Sequence, residues 1–267
     1  MVDDRFADGL DEAAVRSIWE DNAAVWIEQV RAGSDEFRTA FNNPAFMAFV
    51  GDLDGQAVID LGCGEGTNTR LFAERGARMT GVDLSPRMID AARAREAAEP
   101  RGIAYAVCSY TRLPFADAAF DAAVSTMAFM DGPAFDAAAR AAYRVLRPGG
   151  RLAFSVLHPC FITPGFRWLK DADGQAEGLV VADYFADAVY MERWRFSRSR
   201  PADVPEFLTP RFPHRLEGYI NGLCRAGFRI ERVHEPRPAP AQVAARPSWA
   251  RMRRHMAFVL YVAASKA

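Results

Sequence analysis

Cysteine is sparse in this chain of 267 residues, and it is scattered: Cys63, Cys108, Cys160 and Cys224 form no Cys-x-x-Cys pair. That spacing excludes a zinc-ribbon or redox dithiol motif and suits reduced thiols in a cytoplasmic protein. There is no apolar run near the roughly 20 residues that span a bilayer. The opening residues, Met1 to Arg5, are acidic and lack an apolar stretch, so neither a signal peptide nor membrane attachment is expected. Charge of one sign is lacking too. Lys and Arg number 33, Asp and Glu 34, which argues against a partner held through nucleic-acid phosphates. Two short basic stretches, Arg193 to Arg200 and Arg251 to Arg254, read as solvated faces or loop ends. There is no internal repeat.

What is present is a chain that is 50% hydrophobic and 25% charged, enough for a packed α/β core plus an insertion. Apolar residues Val15, Ile18, Trp19, Ala23, Trp26, Ile27 and Val30 recur at helical steps over 11–31, and a second helix is expected over 35–50. Strands are expected at 57–61, 78–83, 103–107, 120–125 and 151–157, with helices at 66–76, 85–98 and 133–146 between them. Ser85 is a natural N-cap and Pro86 suits the first helical position. This alternation implies a parallel sheet covered by helices on both faces. Residues 158–213 are rich in aromatics, proline and glycine and show no sustained period. A helix at 215–226, a strand at 228–234, a Pro/Ala-rich loop at 236–247 and a last strand at 257–263 follow, the two strands pairing antiparallel. The expected organisation is one domain over 1–267: a helical cap (1–52), a core (53–157), a lid-like insertion (158–213) and a C-terminal part (214–267).

Val58-Ile-Asp-Leu-Gly-Cys-Gly-Glu-Gly66 runs from a strand into a turn with three glycines, and Asp83 ends the next strand. Glycine lets a backbone approach a ligand closely, and an acid at that strand end can accept hydrogen bonds from both ribose hydroxyls. The spacing Gly62-x-Gly64-x-Gly66 differs from the Gly-x-Gly-x-x-Gly of dinucleotide sites. Asp60 beside the loop would repel a pyrophosphate and attract an amino or sulfonium group. The residues therefore point to a cationic, phosphate-free nucleoside.

This stretch resembles the first two motifs of class I S-adenosylmethionine-dependent methyltransferases, and the likeness covers about residues 55–157, including Leu146-Arg-Pro-Gly-Gly150. The resemblance implies a Rossmann-like seven-stranded sheet of order 3-2-1-4-5-7-6, with S-adenosyl-L-methionine as cofactor. It implies that Asp60, Gly62, Cys63 and Gly64 lie along the methionine part and that Asp83 holds the ribose, with Leu84 and Met88 nearby. Cys108 and Ser109 fall where the family often carries an acid toward adenine. Ser125 and Met127 fall beside the sulfonium. Trp26 and Arg38 belong to a cap over the cofactor, Arg38 being suited to its carboxylate.

His158 directly follows the fifth strand, where open α/β sheets bind ligands, and is the first candidate for a general base. His214 is the second, while His234 and His255 read as structural. Phe161, Phe166, Trp168, Tyr184, Phe185, Tyr190, Trp194 and Phe196 suit either a lid over a planar or hydrophobic small molecule or a mini-core of the insertion. Tyr190 and Trp194 would share a face if helical. The expected activity is methyl transfer to an oxygen, nitrogen or carbon of a small molecule, without metal. The alternatives are a non-catalytic cofactor-binding partner subunit and an NAD(P)-dependent oxidoreductase. The acceptor and the oligomeric state, a homodimer included, stay open.

Overall fold

The computed structural model describes residues 6–7, 9–196 and 205–267. Residues 197–200 of the first basic stretch and Met1 to Arg5 therefore lie outside the described residues. Short β1 (Phe6–Ala7) is followed by α1 (Glu12–Arg31), where the Asp11 carboxylate accepts from the Ala14 N–H at 2.9 Å and so caps the first turn. The helix expected over 35–50 forms, but Arg38–Asn42 winds as a π-helix before α2 (Asn43–Val50). Such widened turns shift side chains around a helix and collect at functional sites. Here the turn brings both Arg38 and Asn42 to the cleft described below.

The core follows: β2 (Ala57–Leu61), α3 (Thr67–Ala73), β3 (Arg78–Asp83), α4 (Pro86–Ala98), β4 (Ala104–Val107), β5 (Phe120–Thr126), α5 (Phe135–Val145) and β6 (Leu146–Leu157). Ser85 caps α4 by accepting from the Met88 N–H at 3.2 Å, with Pro86 behind it. β6 starts earlier than expected, since Leu146 already pairs with Phe120 and a register shift absorbs the Pro-Gly-Gly turn.

The insertion is not irregular. β7 (Arg167–Lys170) and β8 (Ala176–Val180) make an antiparallel pair, and β9 (Val189–Trp194) pairs with both β1 and β10 (Phe207–Arg211). Tyr190 and Trp194 thus share a face of a strand, by its period of two, and not of a helix. After α6 (Leu216–Ala226), closed by Gly227 at φ 97°, comes β11 (Phe228–His234). The expected Pro/Ala loop instead holds α7 (Pro240–Ala245) and, past it, α8 (Ala250–His255), before β12 (Val259–Lys266). These helices were hidden by their length and by the prolines.

The seven-stranded sheet runs β11-β12-β6-β5-β2-β3-β4. Counted along its own strands from the β4 edge, this is 3-2-1-4-5-7-6. β12 is antiparallel to both its neighbours, and the β2–β6 core is parallel. Alternate residues feed two apolar layers: Leu260 and Val262 of β12 join Phe129, Phe135, Phe154 and Tyr219, while Val259 and Tyr261 join Phe46, Phe49 and Phe72. No helix among the described residues is long and apolar enough to cross a membrane.

Candidate functional site

A cleft of about 600 Å³ opens where the carboxyl ends of β2, β3, β4 and β5 meet α1 and the insertion. Parallel sheets place ligands here because the helix N-termini and the loops converge on these strand ends. The volume falls in the range of small-molecule and cofactor pockets.

Its floor is the turn after β2. Gly62 has φ +76°, and a Cβ there would lie 2.5 Å from the Ala128 Cβ, so only glycine lets this turn meet the loop after β5. The N–H groups of Gly62 and Cys63 both donate to the Val82 carbonyl at 2.9 Å. Gly66 has φ +85° and is pressed against Tyr105. Asp83 braces the same turn. Its Oδ2 accepts from the Gly64 N–H at 2.8 Å and its Oδ1 from the Ser85 N–H at 2.9 Å. Burial raises the Asp83 carboxyl above its ordinary value, and these N–H bonds oppose the rise.

Asp60 is 1% exposed. Its Oδ2 accepts from the Thr69 hydroxyl at 2.7 Å, whereas Oδ1 is buried with no protein partner among the described residues. Burial pushes its carboxyl up to about 7, the Thr69 bond opposing and the Asp83 charge adding. Two more buried polar atoms along the cleft lack partners among the described residues, Asn42 Nδ2 and Thr126 Oγ1. Orphaned buried groups are costly unless something satisfies them. An orphan carboxylate oxygen, together with the Asn42 amide donor and the Arg38 guanidinium, matches a zwitterionic amino-acid group and is hostile to a diphosphate. The residues present therefore fit the methionine end of S-adenosylmethionine.

Met127, just past β5, sits at φ 57° without being glycine. That strain costs about 1–3 kcal/mol and is held by N–H bonds to the carbonyl and hydroxyl of Ser155, at 2.9 and 3.2 Å. Leu84, Met88, Ser109 and Met127 line the cleft, and so do Trp26 and Arg38 from the cap. Arg38 lies 5.2 Å over the Trp26 ring and pairs with Asp35 at 3.1 Å.

Beyond the loop after β5 the cleft turns aromatic. Trp26, Trp194 and Phe196 form one wall; Phe166, Trp168 and Trp249 form another. The same cleft is lined by an ionic group built from the turn after β5 and the paired strands β9 and β10. Asp131 Oδ1 is paired with Arg211 Nη1, and Arg211 Nε donates to Glu192 at 2.8 Å. Asp131 Oδ2 makes no hydrogen bond to a described residue. Burial raises the Asp131 carboxyl to about 7; Arg211 opposes this and Glu192 adds to it.

Four expected site residues are placed elsewhere. His158, 2% exposed, does not line the cleft: its Nδ1 accepts from the Cys160 N–H at 3.2 Å, which leaves Nε2–H to donate to Glu235 at 2.7 Å. Both ring nitrogens are engaged, and burial lowers its pKa, so it anchors the end of β6 outside the cleft. His214 donates through Nε2 to the Gly132 carbonyl at 2.7 Å and borders a smaller neighbouring cavity. Ser125 sits behind the turn, its hydroxyl donating to the Leu61 carbonyl at 2.7 Å. Cys108 packs against the apolar layer under α5. Thr126 belongs to the loop 125–128 expected beside the sulfonium, whereas Asn42, Asp131, Glu192 and Arg211 went unnoticed in the sequence, and none of these four stands in a motif that marks it.

Fold and cleft together define a Rossmann-like α/β protein built around a phosphate-free nucleoside. Residues 59–154 match the family described as "Methyltransferase domain". The chain is 40% identical over 103 residues to a malonyl-(acyl-carrier protein) O-methyltransferase of Serratia marcescens, covering 39% of each protein. It is 37% identical over 120 residues to a demethylmenaquinone methyltransferase of Tropheryma whipplei, covering 44% of this chain and 49% of that one. The chain thus spans less than half the length of these curated relatives. A solved S-adenosylmethionine-dependent methyltransferase of Mesorhizobium loti is 29% identical, covers 84% of this chain and 96% of its own, and superposes with a TM-score of 0.68. These likenesses support a class I S-adenosylmethionine-dependent methyltransferase, with the family's domain matching residues 59–154.

Proposed function

We propose that this chain is an enzyme transferring a methyl group from S-adenosylmethionine to a small organic acceptor with a planar or apolar body. The observation that carries this reading is the single cleft that joins the Asp60–Asp83 turn to an aromatic-walled end. Bound there, S-adenosylmethionine supplies a methyl carbon made electrophilic by its sulfonium. Asp60, Arg38 and Asn42 would hold its amino-acid end and Asp83 its ribose. The aromatic walls would orient a flat acceptor and exclude water, which is the main help a displacement of this kind needs.

Asp131 replaces the histidines as the group suited to take a proton from the acceptor. One oxygen is pinned by Arg211, the other makes no hydrogen bond to a described residue, and a carboxyl held near 7 exchanges protons readily at neutral pH. The acceptor in this reading bears an O–H or N–H.

The test uses S-adenosylmethionine tritiated at its methyl group, offered to a metabolite fraction and to the matching macromolecular fraction of a cell extract. Label should enter a small, solvent-extractable product. Label confined to protein or nucleic acid, or no turnover at all, refutes the reading. With the labelled product identified, Asp131→Asn should lower kcat by about 100-fold or more while S-adenosylhomocysteine affinity stays within about threefold.

A further inference from the structure

Two carboxylates of α1 reach the strand ends. Glu20 accepts from the Ser85 hydroxyl at 2.5 Å and from the Arg87 N–H at 3.0 Å. Glu12, about two turns earlier, accepts from the Ser109 hydroxyl at 2.5 Å, from Thr111 at 3.0 Å and from Arg112 at 2.7 Å. Helix α1 therefore lies across the ends of β3 and β4, and Glu12 joins Ser109 and Thr111 in the wall of the cleft.

The sheet order settles which part of a nucleoside meets that wall. The glycine turn follows β2, Asp83 ends β3, and Ser109 follows β4, with β3 between the other two. A nucleoside with its sugar at Asp83 and its sulfur side over the glycine turn has its base directed toward β4. The segment after β4 carries no acid there: Cys108 packs inward, and the Ser109 hydroxyl proton is committed to Glu12. Among the described residues that line this part of the cleft, Glu12 brings the carboxylate. Burial opposes its ionisation, but the bonds from Ser109, Thr111 and Arg112 outweigh burial and hold its pKa below the ordinary value. It is thus a pure acceptor at neutral pH, with lone pairs to spare.

We propose that Glu12 recognises the cofactor's base: its carboxylate accepts a hydrogen bond from the exocyclic amino group of adenine. The chain then carries its base-reading acid on the cap helix and not on the sheet. Seating the adenine and closing α1 become one event, with Glu20 completing the closure over α4. This inference rests on the assignment of S-adenosylmethionine to the cleft.

The test is calorimetric titration of the full chain at pH 7.5 with S-adenosylhomocysteine and with its 6-deamino analogue, in which hydrogen replaces the amino group. The parent should bind the amino form about 10- to 100-fold more tightly, the worth of one charge-assisted hydrogen bond. Glu12→Gln, which keeps a weaker neutral acceptor and the helix contacts, should narrow that ratio several-fold. Glu12→Ala should bring it to within about twofold. Glu20→Gln should weaken both ligands by one common factor, reporting closure alone. If the Glu12 variants also weaken both ligands by a common factor, Glu12 is only a latch and the proposal falls. It falls as well if the ratio is unchanged in both variants. A parent that binds neither ligand overturns the cofactor assignment itself, a result that no Glu12 variant mimics.

Discussion

Asp60→Asn tests the logic of the cofactor floor more sharply than any other single change. In the folded chain the Asp60 carboxyl is raised from 3.8 to about 7, because it is buried and Thr69 satisfies only one of its oxygens. The folded chain therefore holds a proton there that the unfolded chain has released between about pH 4 and 7. The stabilising contribution of this group is complete below about pH 4 and is lost as pH rises through about 7, to the extent of about 4 kcal/mol for a shift of this size. A cation brought to the free oxygen reverses the balance by favouring the ionised form. Affinity for S-adenosylhomocysteine, whose amino group is charged throughout this range, should rise about tenfold between pH 6 and 8 as the carboxyl ionises. Asn keeps the shape and the Thr69 bond but carries no charge and leaves its amide unpaired. The variant should melt higher than the parent at pH 8, by about 1–3 kcal/mol once the unpaired amide is deducted. It should bind S-adenosylhomocysteine about 10- to 100-fold more weakly at pH 8, with a flat pH profile. Calorimetric titration from pH 6 to 8 and a thermal melt at pH 8 read both effects. A flat profile in the parent, an unchanged slope in Asp60→Asn, or equal affinity at pH 8 refutes the reasoning.

Two further outcomes follow from the same geometry. Gly66→Ala forces a side chain into φ +85° and sets its Cβ 2.5 Å from the Tyr105 hydroxyl, so it should cost at least about 1–3 kcal/mol in a denaturant melt, with cofactor binding weakened alongside. His158→Gln should lower stability by about 1–3 kcal/mol, since a buried pair with Glu235 is disturbed, yet leave kcat with its pH profile unchanged; a profile that loses a limb returns His158 to the chemistry.

The strands and helices of the core are legible because their signals are local. Ser85-Pro86 caps and starts α4 within four residues, and Val58-Ile59-Asp60-Leu61 marks a doubly buried strand by composition alone. The insertion was illegible for the opposite reason. β9 takes its hydrogen bonds from β10 within the insertion and from β1 near the opposite end of the chain, and no period in 158–213 announces those partners. The helix over 35–50 was visible, but its π-turn was not, since widening a turn depends on what the side chains meet.

The same division runs through the site. The sequence alone established a glycine turn, its flanking Asp60 and the Asp83 that follows, because a tight strand-to-helix turn against a nucleoside constrains residue type within one short stretch. Tertiary structure alone decided which groups share a pocket and which way each points. Asp131 lies in a turn after β5, Glu192 on β9 and Arg211 on β10, and only the packing of the insertion over the sheet makes them one ionic group. His158 occupied the promising place after β6, but Glu235 and Cys160 claim its two nitrogens from outside any motif. Side-chain direction and hydrogen-bond satisfaction are properties of contacts between distant segments, and a linear pattern does not carry them.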